Sequence, residues 1–492
     1  MLTTRRLSAV LLAGSLLSCS AKQEKPAAAA RTIASGDAVW FEDGIGPQAT
    51  DTETELLRAG FSTAFLPAVR LAREGGRVTA AEMPPPPKPF EKTPVFLAVI
   101  GGPDLASATS DAASADSLAL AVEGAVQSRL KARALYASKV AGVHMDLPFA
   151  PGSAEAYGRF LKSLRRRIPP EYLLTFSLRF TPGEADRVKL APALAAADGF
   201  VAFVFGEAAA SSPVAADELG KSWYAAYSPG ARGVWRDSSG KQLGFLQEKH
   251  LIQLCDDARV EVKNDLTFRE EAASAFLLSP LQPVKAAGAA FSVGDRLFFR
   301  QPSLSEMLYR FGADQSGRRR LRGRLLVLPG ISEGERLVTL GALADVTLGH
   351  SLDPDLRVSL TGARTPAIVV SVYNASPHAS VISRTQNWVE VDLPAGGIRD
   401  VQPGGFDRYQ EYDSEGRSVT PGRATRVRFF ETLVVPSSQI DSAKILLNKP
   451  APADCCRYRF AVASAAGPEV KADWVVPTPA PMPEPPPRKN RR

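Results

Sequence analysis

The stretch Ala141 to Ser153 reads AGVHMDLPFAPGS. An apolar run ends there in one acid, Asp146, with His144 two residues before it and Pro148 two residues after it. Side chains alternate along a strand, so His144 and Asp146 point to the same side. A carboxylate in that place can accept hydrogen bonds from sugar hydroxyls, or serve as one of the two carboxyl groups that cleave a glycosidic bond. Burying an acid at a strand end costs free energy unless it has a task, which makes Asp146 the first candidate. Glu207 is its first partner for catalysis and Asp104 its second. His144 has two readings, a base or a polar group satisfied inside the fold, and the rule that buried polar groups are hydrogen-bonded favours the latter.

Other chemistry-bearing residues follow apolar runs in the same way. Glu42 and Asp43 follow the first, Arg179 the fifth, Arg236 and Asp237 the seventh, and Arg300 the eighth. The ligand-binding set is therefore Trp40, Glu42, Asp104, His144, Arg179, Trp235 and Arg300, with the two indoles as surfaces for sugar rings. By residue type Trp40 is more often a core side chain than a platform, and Asp104 and Asp237 are equally helix caps. Four histidines and four cysteines are scattered without ligand spacing, so neither a metal nor another cofactor is expected.

Those residues need elements to hold them. DAVWF (Asp37–Phe41), FSTAFLPAV, PVFLAVIGG (Pro94–Gly102), AGVHMD, YLLTFSLRF and GFVAFVFGE read as six buried strands. ARGVWRDSSGKQLGFL reads as a seventh running into a hairpin that turns at Ser238-Ser239-Gly240, and DRLFFRQP (Asp295–Pro302) as the eighth. Helical patterns separate the strands: ETELLRAG, a long one from Ser114 to Ser138, one with Tyr157, Phe160, Leu161, Leu164 and Ile168 on a single face, LAPALAAA, and EEAASAFLLS. Alternation of this kind predicts right-handed βαβ units and an α/β fold, a (β/α)8 barrel of the triosephosphate-isomerase type. An open doubly wound sheet is disfavoured because the first strand has no glycine-rich phosphate loop after it. Beyond Gly312 short alternating segments predict an antiparallel β-sandwich. They are RLLVL, AIVVSVYN, NWVEVDLP, RVRFFETLVV, AKILLN and CRYRFAVAS.

The organisation expected for the 492 residues is a signal peptide over 1–19, a tether over 20–30, the barrel over 31–312, a basic connector over 313–324, the sandwich over 325–476, and a proline-rich tail over 477–492. The apolar fraction, 45%, is enough to build cores. The net charge of +7 is a modest excess that suits anionic lipid or acidic polysaccharide. Nucleic acid is not expected, because the beginning of the chain points out of the cytoplasm. Arg5 and Arg6 precede an apolar stretch, Leu7 to Leu17, far shorter than the ~20 residues that cross a bilayer. Leu16-Leu17-Ser18-Cys19 resembles the lipobox of bacterial lipoproteins. That resemblance implies acylation of Cys19, an anchor in the cell envelope, and the outer membrane as its surface, because Ser20 is not aspartate. Cys255, Cys455 and Cys456 read as packing residues, with a disulfide open in an oxidising compartment.

GVHMDLPFA followed by YGRFLKSLRRRIP, together with GVWRDSSGKQLGFLQE and LFFRQP, resembles the bacterial family called domain of unknown function 3142. The likeness covers most of Ala38 to Gly312. More distantly, the region is similar to family-eighteen-like glycosidases, whose fourth strand carries Asp-x-Asp-x-Glu ending in the general acid. Laid on this chain, those positions are His144, Asp146 and Pro148, and only Asp146 keeps its type. Proline has no proton to donate, so the acid of that mechanism is missing. Three readings follow: an envelope lipoprotein that binds polysaccharide with little or no catalysis, a glycoside hydrolase using Asp146 with Glu207 or Asp104, and a structural or assembly protein with envelope-protein partners.

Overall fold

The computed structural model describes residues 32–46, 51–74, 77–102, 105, 112–147, 149, 151–204, 212–265, 273–302, 316–330, 336–362, 364–393, 397–419, 423–452, 456–464 and 469–477. Asp104, Pro148, Glu207, Cys19, Cys455, the tether and nearly all of the tail lie outside them. Among the described residues no helix is long and apolar enough to cross a membrane.

The chain opens with β1 (Asp37–Phe41), α1 (Thr52–Arg58), β2 (Phe61–Glu74) and β3 (Arg77–Glu82). It continues through β4 (Val95–Gly101), α2 (Ala112–Lys131), β5 (Val140–Asp146), α3 (Ala154–Arg165) and β6 (Leu173–Leu178). Then come α4 (Glu184–Ala196), β7 (Gly199–Phe203), α5 (Pro213–Glu218) and β8 (Ser222–Tyr227). An insertion follows: β9 (Arg232–Arg236), β10 (Gln242–Gln247), α6 (Glu248–Cys255), β11 (Val260–Asp265), β12 (Ala273–Pro280), β13 (Val284–Ala286), β14 (Ala289–Phe291) and β15 (Arg296–Pro302). The chain then returns as β16 (Leu321–Leu328) and α7 (Leu340–Leu348).

Eight strands close a parallel ring in the order β1, β2, β4, β5, β6, β7, β8, β16 and back to β1. The expected barrel is present, but two of its expected strands are not in it. The expected seventh and eighth strands belong to a separate antiparallel sheet ordered β10, β9, β15, β12, β11. The real seventh is SWYAAY, buried at all six positions. The real eighth is LRGRLLVL, which the basic run had assigned to the connector and the sandwich. Its arginines are compatible with a barrel strand because each finds a partner at the strand's N-terminal end. Arg324 Nε donates to Asp37 on β1 at 2.8 Å, and Arg322 Nε donates to Ser222 on β8 at 3.0 Å. The barrel therefore runs past Gly312 to Leu328. The segment expected to be helical around Ala273 to Ser279 is strand β12, held between β11 and β15. Tertiary pairing there overrides the helix propensity of alanine and leucine.

Two apolar layers build the barrel. Outward side chains such as Val143, Met145, Leu174 and Phe176 pack against Leu118 and Val122 of α2 and against Tyr157, Phe160, Leu161 and Leu164 of α3. Pro169 stops α3 one turn on, and Arg165 Nη2 caps the freed carbonyls of Ile168 and Pro169 at 3.1 and 3.0 Å. Inward side chains from alternate positions fill the lumen, among them Trp40, Phe65, Phe96, Val201, Phe203, Tyr224 and Leu325.

Ring closure leaves little room where β16 meets the chain entering β1. A Cβ on Gly323 would lie 2.3 Å from the Gly36 carbonyl oxygen, backbone against backbone. Gly323→Ala is expected to cost about 1–3 kcal/mol, the range for overpacking, because neither strand can yield without giving up the ladder. Urea unfolding checks it, and an unchanged midpoint would show that closure is slack.

The last part of the chain forms the expected sandwich. One sheet comprises β17 (Leu356–Thr361), β18 (Ala367–Asn374), β23 (Gln439–Leu447) and β20 (Ile398–Gln402). The other runs β21 (Arg408–Tyr412), β22 (Arg426–Phe430), β19 (Trp388–Asp392), β24 (Arg457–Val462) and β25 (Val470–Val475). Val370, Val372 and Ile445 of the first meet Val389, Val391, Val427 and Phe429 of the second in one core. The inserted sheet sits between barrel and sandwich. Its Leu246, Phe276, Leu297 and Phe299 pack with Leu251 and Leu254 of α6, and with Leu337, Ile382 and Leu433.

Candidate functional site at the barrel mouth

β5 delivers His144 and Asp146 to the lumen side, as alternation requires. Their surroundings differ sharply. His144 is 0% exposed. Its Nδ1 lies 2.9 Å from Thr175 Oγ1 and its Nε2 3.1 Å from Ser177 Oγ, both on β6. The rings of Trp40 and Phe65 meet it edge-on at 5.0 and 5.1 Å. Loss of hydration in this enclosure pulls the imidazole pKa down to about 4, and Arg179 pulls the same way while Asp146 opposes both. His144 and Trp40 were candidates for ligand contact. The structure corrects both: they are packing groups inside the barrel, beneath the mouth.

One level higher, Asp146 meets Arg179, which follows β6. Arg179 Nη2 donates to Oδ1 at 2.8 Å and to Oδ2 at 2.9 Å, and Nε lies 3.3 Å from Oδ1. The guanidinium stacks on Phe203 at the end of β7, 3.8 Å from the ring centre. Asp146 is mostly buried while the Arg179 side chain is 42% exposed. The pair therefore reaches the mouth as one forked unit, with acceptor oxygens and outward N–H donors side by side. Such a unit bonds hydroxyl groups in both directions. Glu207 and Asp104, the proposed second carboxyl groups, lie outside the described residues, so no carboxyl separation is defined.

Glu42 stands on the rim after β1 and holds Arg232 at 2.9 Å. Arg232 opens β9, so this ion pair joins the rim to the inserted sheet. Arg300 lies directly opposite Arg232 in the sheet. Trp235 points to the other side of the sheet. Its Nε1 donates to Asp295 at 3.0 Å and its ring packs against Phe291 at 4.9 Å. Trp235 is thus a supporting residue of the inserted sheet, a correction to its expected role at the mouth.

Three features escaped the sequence reading. The face of the inserted sheet that carries Arg232 also carries Val234, with Phe245 and Phe298 directly across from it on the flanking strands. Phe245 is 77% exposed and Phe298 38% exposed. With strands spaced ~4.8 Å apart, the two rings stand roughly 10 Å from each other. Alternation in LFFRQP signals one phenylalanine in and one out, but only the packing shows which face stays open. The third feature is Glu248 at the start of α6, 0% exposed, whose Oε1 accepts from the Leu337 backbone N–H at 2.9 Å. Desolvation pushes its pKa up to about 7, although the backbone N–H groups of Leu337 and Ala231, and after them Arg232 and Arg336, pull the other way. Closed off from solvent, it ties the insertion to the chain that follows β16.

The fold and mouth together define a (β/α)8 barrel protein with an antiparallel sheet inserted after the seventh strand and a β-sandwich behind it. No protein-family model and no curated protein matches the chain. Among solved structures the chain is similar to the spore cortex-lytic enzyme SleL of Bacillus cereus, at 15% identity over 61% of this chain and 72% of that one, with a TM-score of 0.36. It is also similar to a chitinase of Rhizomucor miehei, at 9% identity over 59% and 93% with a TM-score of 0.33. A GH18 chitinase of Flavobacterium johnsoniae gives 11% identity over 60% and 87%, with a TM-score of 0.32. Among the described residues no cluster of His, Cys, Asp or Glu is arranged to hold a metal ion.

Proposed function

We propose that the barrel mouth and the open face of the inserted sheet form one cleft that binds a polysaccharide with little or no cleavage. In this reading the protein is held to the bacterial envelope, on the outer membrane, through an acylated Cys19. The observation that carries the binding role is the open face itself. Phe245 and Phe298 stand exposed on the face whose Arg232 is tied to the rim by Glu42, and the same rim carries the Asp146–Arg179 unit. Apolar ring faces next to paired donors and acceptors suit sugar rings, which present C–H faces and hydroxyl edges. The absence of cleavage is supported by Pro148, which cannot act as a general acid, and by Arg179, whose forked pairing with Asp146 holds that carboxylate as a fixed hydrogen-bond acceptor.

Glycan-array retention, scored together with product release, tests the proposal. Phe245→Ser combined with Phe298→Ser is expected to weaken retention about tenfold or more, since an aromatic contact contributes ~0.5–1.5 kcal/mol beyond its area and 1.4 kcal/mol is a factor of ten. Both rings are exposed, so the melting temperature should hold. Undiminished retention would remove the inserted sheet from the site, and product released by the parent protein would make it a hydrolase.

A further inference from the structure

The outer face of the five-stranded sandwich sheet carries a lattice of arginine and aromatic side chains that the barrel reading does not use. The central strand β19 turns Val389 and Val391 to the core, and Trp388, Glu390 and Asp392 to the outside by alternation. Both acids are nonetheless almost fully buried, because guanidinium groups from the two flanking strands close over them. Glu390 accepts from Arg428 Nε at 2.8 Å on one side and from Arg459 Nη2 at 2.8 Å on the other. Asp392 accepts from Arg457 Nε at 2.8 Å, with Arg426 Nε at 3.5 Å across from it. The same guanidinium groups lie over indole rings. Arg428 is 4.2 Å from the centre of Trp388, and Arg457 and Arg459 are each 4.6 Å from Trp474.

Two arginines serve each acid, where one would neutralise it. The four-arginine lattice thus keeps a surplus positive charge, to which Arg408, stacked on Phe430 at 3.8 Å, adds at the edge. The surplus is also positioned. Strand geometry spaces the arginines about 6.8 Å along each strand and about 9.6 Å across β19. Ion pairs beneath and stacking alongside hold the planes, so little side-chain entropy remains to be lost on binding. We propose that this face is a second binding surface, specific for a carboxylated polysaccharide whose anionic groups recur along the chain. A repeating array of fixed forks fits a repeating row of carboxylates. Neutral glycan is disfavoured because the indole faces are already covered by guanidinium. A lipid surface is disfavoured because the tryptophans lie beneath the arginines and do not protrude to enter a bilayer.

The test uses the whole protein and sodium polygalacturonate as probe, with dextran as the neutral control and phosphatidylglycerol–phosphatidylcholine vesicles as the lipid control. Affinity electrophoresis should show retention by polygalacturonate that falls as salt rises, and none by dextran. Arg457→Gln combined with Arg459→Gln leaves each acid one arginine, Arg426 for Asp392 and Arg428 for Glu390. It should weaken retention at least tenfold with melting temperature and near-ultraviolet dichroism preserved, while the Phe245 and Phe298 variants keep it. If the double variant does not fold, the change in tryptophan emission of the parent on adding polygalacturonate, absent with dextran, decides. Equal retention by dextran, a double variant that binds like the parent, no emission change, or binding to vesicles alone would each overturn the proposal.

Discussion

His144→Ala is expected to cost the barrel about 3–5 kcal/mol. Removing the ring opens a cavity between Trp40 and Phe65, and large-to-small core changes alone cost ~2–5 kcal/mol. It also strips two buried hydroxyls, Thr175 and Ser177, of their partner, at roughly 1–3 kcal/mol for a group left unsatisfied. Chemical unfolding at pH 8 measures the loss. His144→Phe separates the terms: it refills the space but not the hydrogen bonds, and should recover about half. A pH dependence accompanies it. The imidazole is held neutral down to about pH 4, against a usual value of 6.5. The unfolded chain therefore takes up a proton first as pH falls. Stability from His144 is complete above pH 6.5 and drains away between 6.5 and 4, by ~3 kcal/mol in all at 1.36 kcal/mol per unit. A parent and an alanine variant with the same acid-unfolding profile would refute this account of the lumen.

Glu248→Gln should act in the opposite sense. Its carboxyl is raised from 4.5 to about 7, so here the folded chain holds the proton over that interval. Its contribution is full below pH 4.5 and is lost as pH climbs to 7, by roughly 3 kcal/mol. Glutamine keeps an oxygen for the Leu337 N–H and carries no charge to strand. The variant should match the parent near pH 4.5 and exceed it by up to ~3 kcal/mol at pH 8. Between pH 4.5 and 6.5 the His144 and Glu248 slopes cancel. The glutamine variant then exposes the rising histidine slope, and a histidine variant exposes the falling glutamate slope. Unfolding series at four pH values distinguish the two, and parallel curves for parent and Glu248→Gln would show that the carboxyl is not desolvated as placed.

The mouth was legible in part before any coordinates. Asp146 and Arg179 stand at successive strand ends in the sequence, and the fold pairs them because β5 and β6 are neighbours. The open face of the inserted sheet was not legible. VWR, GFL and LFF each alternate, but alternation says only that two faces differ. Which one is left to solvent depended on α6 covering the other.

The amino-acid order alone settled whatever depends on near neighbours. Six barrel strands and most sandwich strands show in their apolar runs, α3 shows in its single apolar face, and His144 and Asp146 share a side because a strand repeats every two residues. Proline at 148 removes a proton donor in any fold. What tertiary structure decided was pairing between distant segments. SWYAAY and LRGRLLVL close the ring across the insertion, and Arg324 belongs in a strand only because Asp37, far away in the chain, accepts its hydrogen bond. Trp40 and His144 became core when closure put a lumen around them. Both faces of a barrel strand are apolar, so no local pattern separates inside from outside until the eighth strand meets the first.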